Sequence, residues 1–155
     1  MSDYEIRVET LPVTSTLYMR FRVSPDELGV RLGQVLPAVY GHATGGGGTP
    51  AGAPYTRYHD TESETLELEA GLPVAGPGTG KGEIEAGELP GGPAAVTWHV
   101  GPYERLPEAH RALTAWAEKN GYTPAGPAWE SYVTDPGAEP DPWKWRTQVV
   151  LPLRG

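Results

Sequence analysis

Residues 126–133 read "GPAWESYV" and residues 52–59 read "GAPYTRYH". Gly52, Tyr55 and Tyr58 stand 74 positions before Gly126, Trp129 and Tyr132. Downstream of each stretch a Leu-Pro pair recurs, Leu72-Pro73 in "GLPV" and Leu151-Pro152 in the closing "LPL". A short echo carries weight when the elements around it repeat in the same order, and here they do. In the first half "VTSTLYMRFRV" is rich in β-formers and ends at "SPDE", where Ser24 suits an N-cap, Pro25 the first helical position and Glu27 a capping box. Leu28, Leu32, Val35 and Val39 then fall on one helical face, and Pro37 predicts an end or kink near Leu36. "PYTRYHD" and "ETLELEAGLPV" follow as strands, the second alternating Leu66 and Leu68 with Glu67 and Glu69.

The second half runs likewise. "AAVTWHV" reads as a strand. A helix follows from about Leu106 to Asn120, with Leu106, Ala109, Leu113 and Trp116 on one face, Pro107 at its start and Gly121 past its end. "AWESYV" and "WRTQVVLPL" are strands. The pattern predicts an α+β fold made of two β-α-β-β repeats in one domain over residues 1–155. Repeat one covers about 4–75, a connector about 76–92 and repeat two about 93–155. Such repeats meet about a pseudo-twofold axis, and a cleft between them is the expected binding site.

Composition narrows the function. With 20 acidic and 12 basic residues the formal net charge is -8, so the phosphate-neutralising surface of a nucleic-acid binder is missing and no DNA binding by the chain itself is expected. The absence of cysteine excludes disulfides, thiol nucleophiles and Cys-based metal sites. "MSDYEIRVET" has neither the basic start nor the apolar centre of a signal peptide, and no apolar run reaches spanning length, which predicts a cytoplasmic location and no membrane partner. The 21 Gly and 17 Pro cluster in "GHATGGGGTPAGAP", "GPGTGKG" and "ELPGGP", read as loops between patterned segments. "GPGTGKG" fails as a phosphate loop, because Ala75 stands where its first Gly belongs and Gly82 follows Lys81; it reads as a flexible connector. The acidic run "EIEAGE" reads as a solvated face. His42, His59, His99 and His110 lack metal-ligand spacing, and no cofactor or metal is expected.

Glu130 stands out, set between Trp129 and Tyr132. An ionised acid in an apolar setting needs a cation or good hydrogen bonds, since desolvation costs several kcal/mol or more. Strand alternation places Glu130 and Tyr132 on one face, with Trp129 and Ser131 on the other; the repeat puts Thr56 and Tyr58 on the matching face of the first half. Five Trp and eight Tyr against one Phe favour stackable, amphipathic rings. Trp145, Trp98, Tyr18 and Tyr40 join Glu130, Tyr132 and Tyr58 as candidate ligand contacts, while Trp116 belongs to the apolar helix face.

"HVGPYERL" (residues 99–106), "WESY" (129–132) and the closing "WRTQVVLPL" occur in the order and spacing of a known family. Over nearly its whole length the chain resembles the GyrI-like small-molecule-binding domains, which also serve as effector-binding domains of AraC-type and MerR-type regulators. The resemblance implies a curved antiparallel sheet with helices on one side and a ligand cavity where the repeats meet. It also implies that Glu130, in "WESY", faces lipophilic, often cationic, aromatic compounds. No room precedes Tyr4 for a DNA-binding domain, so a stand-alone module is expected. Some relatives hydrolyse cyclopropane-containing DNA-alkylating compounds, and the same Glu130 could act there as general base, with Tyr132 or Tyr58 polarising a carbonyl. The family name further implies a protein partner such as a gyrase subunit. Binding is the leading reading and hydrolysis, using the same acid, its alternative.

Overall fold

The computed structural model describes residues 4–154. The chain divides into two units: residues up to Pro12 together with those from Gly91 onward, and Val13–Pro90.

In the central unit, the strand β2 (Thr14–Val23) leads through a 3-10 turn (Pro25–Glu27) into the helix α1 (Leu28–His42), followed by β3 (Thr49–Pro50), β4 (Tyr55–Asp60), β5 (Leu66–Ala75) and β6 (Glu85–Leu89). Its antiparallel sheet runs β4-β5-β2-β6, with β3 also on β5. Period-two alternation sends Leu17, Leu68, Ala70 and Leu72 to one face, where Val35 and Val39 of α1 cover them. Leu17, Leu68 and Val39 are fully buried, worth about 1.5–3 kcal/mol for each large aliphatic side chain.

The terminal unit contains β1 (Ile6–Leu11), β7 (Gly92–Val100), a 3-10 turn (Tyr103–Arg105), the helix α2 (Leu106–Lys119), β8 (Trp129–Tyr132) and β9 (Arg146–Pro152). Its sheet runs β1-β7-β9-β8. Ala95, Val149 and Leu151 meet Leu106, Ala109, Leu113 and Ala117 of α2. The helix closes as its sequence foretells: Gly121 takes φ 77° and its N–H bonds to the Glu118 carbonyl, while the Tyr122 N–H reaches Ala117.

The duplication reaches down to register. Tyr55 and Trp129 each open a strand, Tyr55 opposite Gly71 and Trp129 opposite Val150; Tyr58 lies opposite Leu68 and Tyr132 opposite Thr147. Leu72 and Pro73 pair with Leu17 and Thr16, as Leu151 and Pro152 pair with Ala95 and Ala94.

Three local readings change. Pro37 lies inside α1 without ending it, because Val35 and Val39 are both buried and tertiary packing on either side holds the helix across the missing hydrogen bond. Ser24 makes no side-chain cap; the helix starts from a 3-10 turn closed by the Glu27 N–H on the Ser24 carbonyl. The stretch read as connector contains β6, paired with β2, and β1 belongs with the second repeat through its pairing with β7. Among the described residues no helix is long and apolar enough to cross a membrane.

Candidate functional site

The strand β8 carries Glu130 opposite Val149, which also lies opposite Thr97. Glu130 therefore shares the sheet face that α2 covers. The residue is 3% exposed. One carboxylate oxygen accepts a 2.8 Å hydrogen bond from His110 Nε2 on α2, and the other accepts one of 2.8 Å from the Tyr132 hydroxyl two residues along the strand.

Rings stand beside this acid. The Tyr103 ring lies 5.3 Å from that of Tyr132 and 4.8 Å from that of Trp145. Trp145 is fixed by its indole N–H on the Glu139 carbonyl. Burial raises the Tyr103 phenol above its ordinary pKa, helped by the charges of Asp135 and Glu130. An acid held in ring surroundings, with little water to screen it, attracts an organic cation more strongly than an exposed one.

The structure thus brings Tyr132 to Glu130 and Trp145 to the same ring cluster. Trp98 it does not: it lies opposite Gln148, on the other face of the sheet, where Arg146 covers its ring at 4.4 Å and it borders a hollow of about 320 Å³ with Glu5, Arg7, Glu9 and Val96. Tyr58, Tyr18 and Tyr40 belong to the central unit. Tyr58 packs on the α1-side core, Tyr18 lies on the opposite sheet face beside Gly87, and Tyr40 is exposed on α1. Trp116 packs against the α2 core and stacks on Tyr122.

Two site residues escaped the sequence reading. His110 stands four residues after Leu106 and three before Leu113, a spacing that puts it on the margin of the apolar face. Tyr103 lies within the family-like "HVGPYERL" but before the helix, where periodicity gives no face.

The model of the GyrI-like small molecule binding domain matches residues 4–154. The chain belongs to this family. As a GyrI-like chain it is similar to the C-terminal domain of EcmrR, with a TM-score of 0.87 and 25% identity over 98% of both chains. Against EcmrR in its complex with DNA the TM-score is 0.86 at 26% identity, and the match covers 97% of this chain but 57% of that one. A hydrolase from Listeria innocua has the same fold at 14% identity and a TM-score of 0.64, over 97% of this chain and 92% of that one. So does SAV2435 bound to tetraphenylphosphonium, at 9% identity and a TM-score of 0.62, over 97% and 94%. No curated protein sequence matches the chain significantly.

Proposed function

We propose that this GyrI-like domain binds lipophilic aromatic cations, with Glu130 supplying the charge and Tyr103, Tyr132 and Trp145 supplying ring surface. The observation that carries this reading is a carboxylate, that of Glu130, buried and held by His110 and Tyr132 beside the Tyr103, Tyr132 and Trp145 rings. A cation against an aromatic face gains about 0.5–2 kcal/mol, and the carboxylate adds a Coulomb attraction that a neutral ligand does not feel. The shared fold with a protein bound to tetraphenylphosphonium supports the class of ligand. Calorimetric titration with tetraphenylphosphonium tests the reading: saturable one-to-one binding is expected, and its absence contradicts it.

Hydrolysis is the second reading, favoured by the His110–Glu130–Tyr132 arrangement and the fold shared with a hydrolase. In that chemistry water attacks a carbon of a strained ring conjugated to a carbonyl. Glu130 takes the water proton and the electron pair of the breaking C–C bond moves to the carbonyl oxygen; the Tyr132 hydroxyl, released from the carboxylate as that is protonated, donates to this oxygen, and the proton then passes from Glu130 to the opened ring, so that the product is the substrate plus one water. Incubation with a cyclopropane-containing alkylator followed by mass spectrometry tests this. A product heavier by one water, formed by wild type and not by Glu130→Gln, is the expected result; an unchanged compound removes the reading.

A further inference from the structure

We propose that His99 is a positioning residue for the ligand site, fixing the peptide that carries Tyr103 and so holding the ring wall beside Glu130. The inference rests on the cation-binding reading and deepens it. His99 sits in β7 opposite Thr147 and is 3% exposed. Its Nε2 lies 2.9 Å from the Pro102 carbonyl, which can only accept, so Nε2 carries the hydrogen. In the neutral ring Nδ1 is then an acceptor, and it takes the Tyr4 hydroxyl at 2.8 Å. The Tyr4 ring also stacks along the imidazole, 6.0 Å between centroids.

The Pro102 carbonyl belongs to the peptide whose nitrogen is that of Tyr103. Holding that oxygen fixes the peptide plane from which Tyr103 departs. The neighbouring bonds act in the same sense. Gly101, at φ 134°, a conformation that side chains rarely adopt, donates its N–H to the Trp145 carbonyl at 2.8 Å, and Pro102 has its φ set by its own ring. The two segments that supply Tyr103 and Trp145 are therefore joined at Gly101 and oriented at His99, while Arg105 lies over the Trp143 ring at 5.3 Å. A preorganised wall loses less freedom when a ligand stacks on it.

The test separates wall from charge by using a cation, tetraphenylphosphonium, and a neutral relative, triphenylphosphine oxide. His99→Asn keeps an atom near Nδ1 and loses the donor to Pro102; His99→Gln places an amide N–H near Nε2 and keeps it. With His99→Asn, affinity for both ligands falls by a similar factor, about three- to thirtyfold, the range of a lost ring contact. His99→Gln restores both, whereas Glu130→Gln weakens the cation alone. Tyr4→Phe, a milder change, moves both affinities in the direction of His99→Asn and decides the matter if that variant does not fold. Wild-type affinities in His99→Asn, or in Tyr4→Phe where it alone folds, overturn the inference, as does a His99→Gln that behaves like His99→Asn. A wild-type protein that binds no cation overturns the cation reading and this inference together; cation binding lost in Glu130→Gln but untouched at His99 overturns this inference alone.

Discussion

Among the described residues each unit buries one glutamate and gives it a tyrosine and a histidine, yet one acid lies on the helix-covered face of its sheet and the other on the face away from its helix. Glu130 lies on the α2 side of β8 with His110 and Tyr132. Glu69, 4% exposed, lies on the side of β5 away from α1, holding the Tyr55 hydroxyl at 2.7 Å, His59 Nε2 at 2.7 Å and the Arg57 guanidinium at 3.5 Å. Matching register shows how the halves diverged. Thr56 occupies the position of Glu130, and Gln148 that of Glu69. The row Arg20, Glu69, Arg57 across the central unit's strands corresponds to Trp98, Gln148, Ser131 in the terminal unit. A guanidinium keeps its charge at every accessible pH, so Glu69 has a permanent counter-ion from its own sheet. Burial alone therefore does not distinguish the two acids, whereas the guanidinium beside Glu69 does.

The two acids are expected to differ most in what they contribute to stability. Glu69→Gln removes the charge that faces the half-buried Arg57 and an acceptor shared by Tyr55 and His59, and is expected to cost about 3 kcal/mol, read by chemical denaturation, whereas Glu130→Gln should shift the midpoint far less. Equal losses in the two variants would erase the distinction. Tyr55→Phe removes the buried hydroxyl from Glu69 and is expected to cost about 1–3 kcal/mol.

The pH dependence sharpens the same contrast. Burial, with the charge of Glu69 next, pushes the Tyr55 phenol far above its ordinary range, and burial raises Tyr18 and Tyr103 as well. A raised folded pKa means that the native state holds its proton more tightly than the unfolded chain. Stability is then complete below about pH 10, the ordinary tyrosine value, and falls as pH rises beyond it. Tyr55→Phe should flatten that alkaline fall in thermal melts. At the acid end, the Ser63 hydroxyl and the Glu62 backbone N–H, with Arg22 also contributing, hold Asp60 down to about 2, and hydrogen bonds from Arg20 lower Glu67. Their contribution is present above the ordinary carboxylate range, about pH 4, and is lost as pH falls towards 2. Arg22 bonds both Asp60 and Glu67 at the surface, so Arg22→Ala is expected to shift the melting temperature only slightly, and less still in high salt.

Much of this was legible in the residues. Alternation and helical spacing gave both helices and the paired strands, and the echo of "GAPYTRYH" in "GPAWESYV" carried the strand equivalences down to register. Glu130 and Tyr132 on one face followed from a period of two. What escaped was long-range or depended on what covers a face. The pairing of Ile6–Leu11 with β7 joins residues that no local pattern connects, and β6 lies in an acidic, glycine-bearing stretch whose glutamates are exposed, as read, but whose strand no alternation marks. Glu69 alternates with leucines and so reads as the wet side of a strand; alternation gives the face and not its cover. Pro37 shows tertiary burial overriding a local breaker.

The most direct test of a charged ligand acid is a pair of titrations of wild type and Glu130→Gln, with tetraphenylphosphonium and with neutral triphenylphosphine oxide. The substitution keeps the shape and removes the charge. The cation is expected to lose about 1–3 kcal/mol, roughly five- to 150-fold in affinity, while the neutral ligand is nearly unaffected. Equal cation affinity in the two proteins would contradict the account and leave Glu130 a buried strand residue held by His110 and Tyr132 for the fold alone.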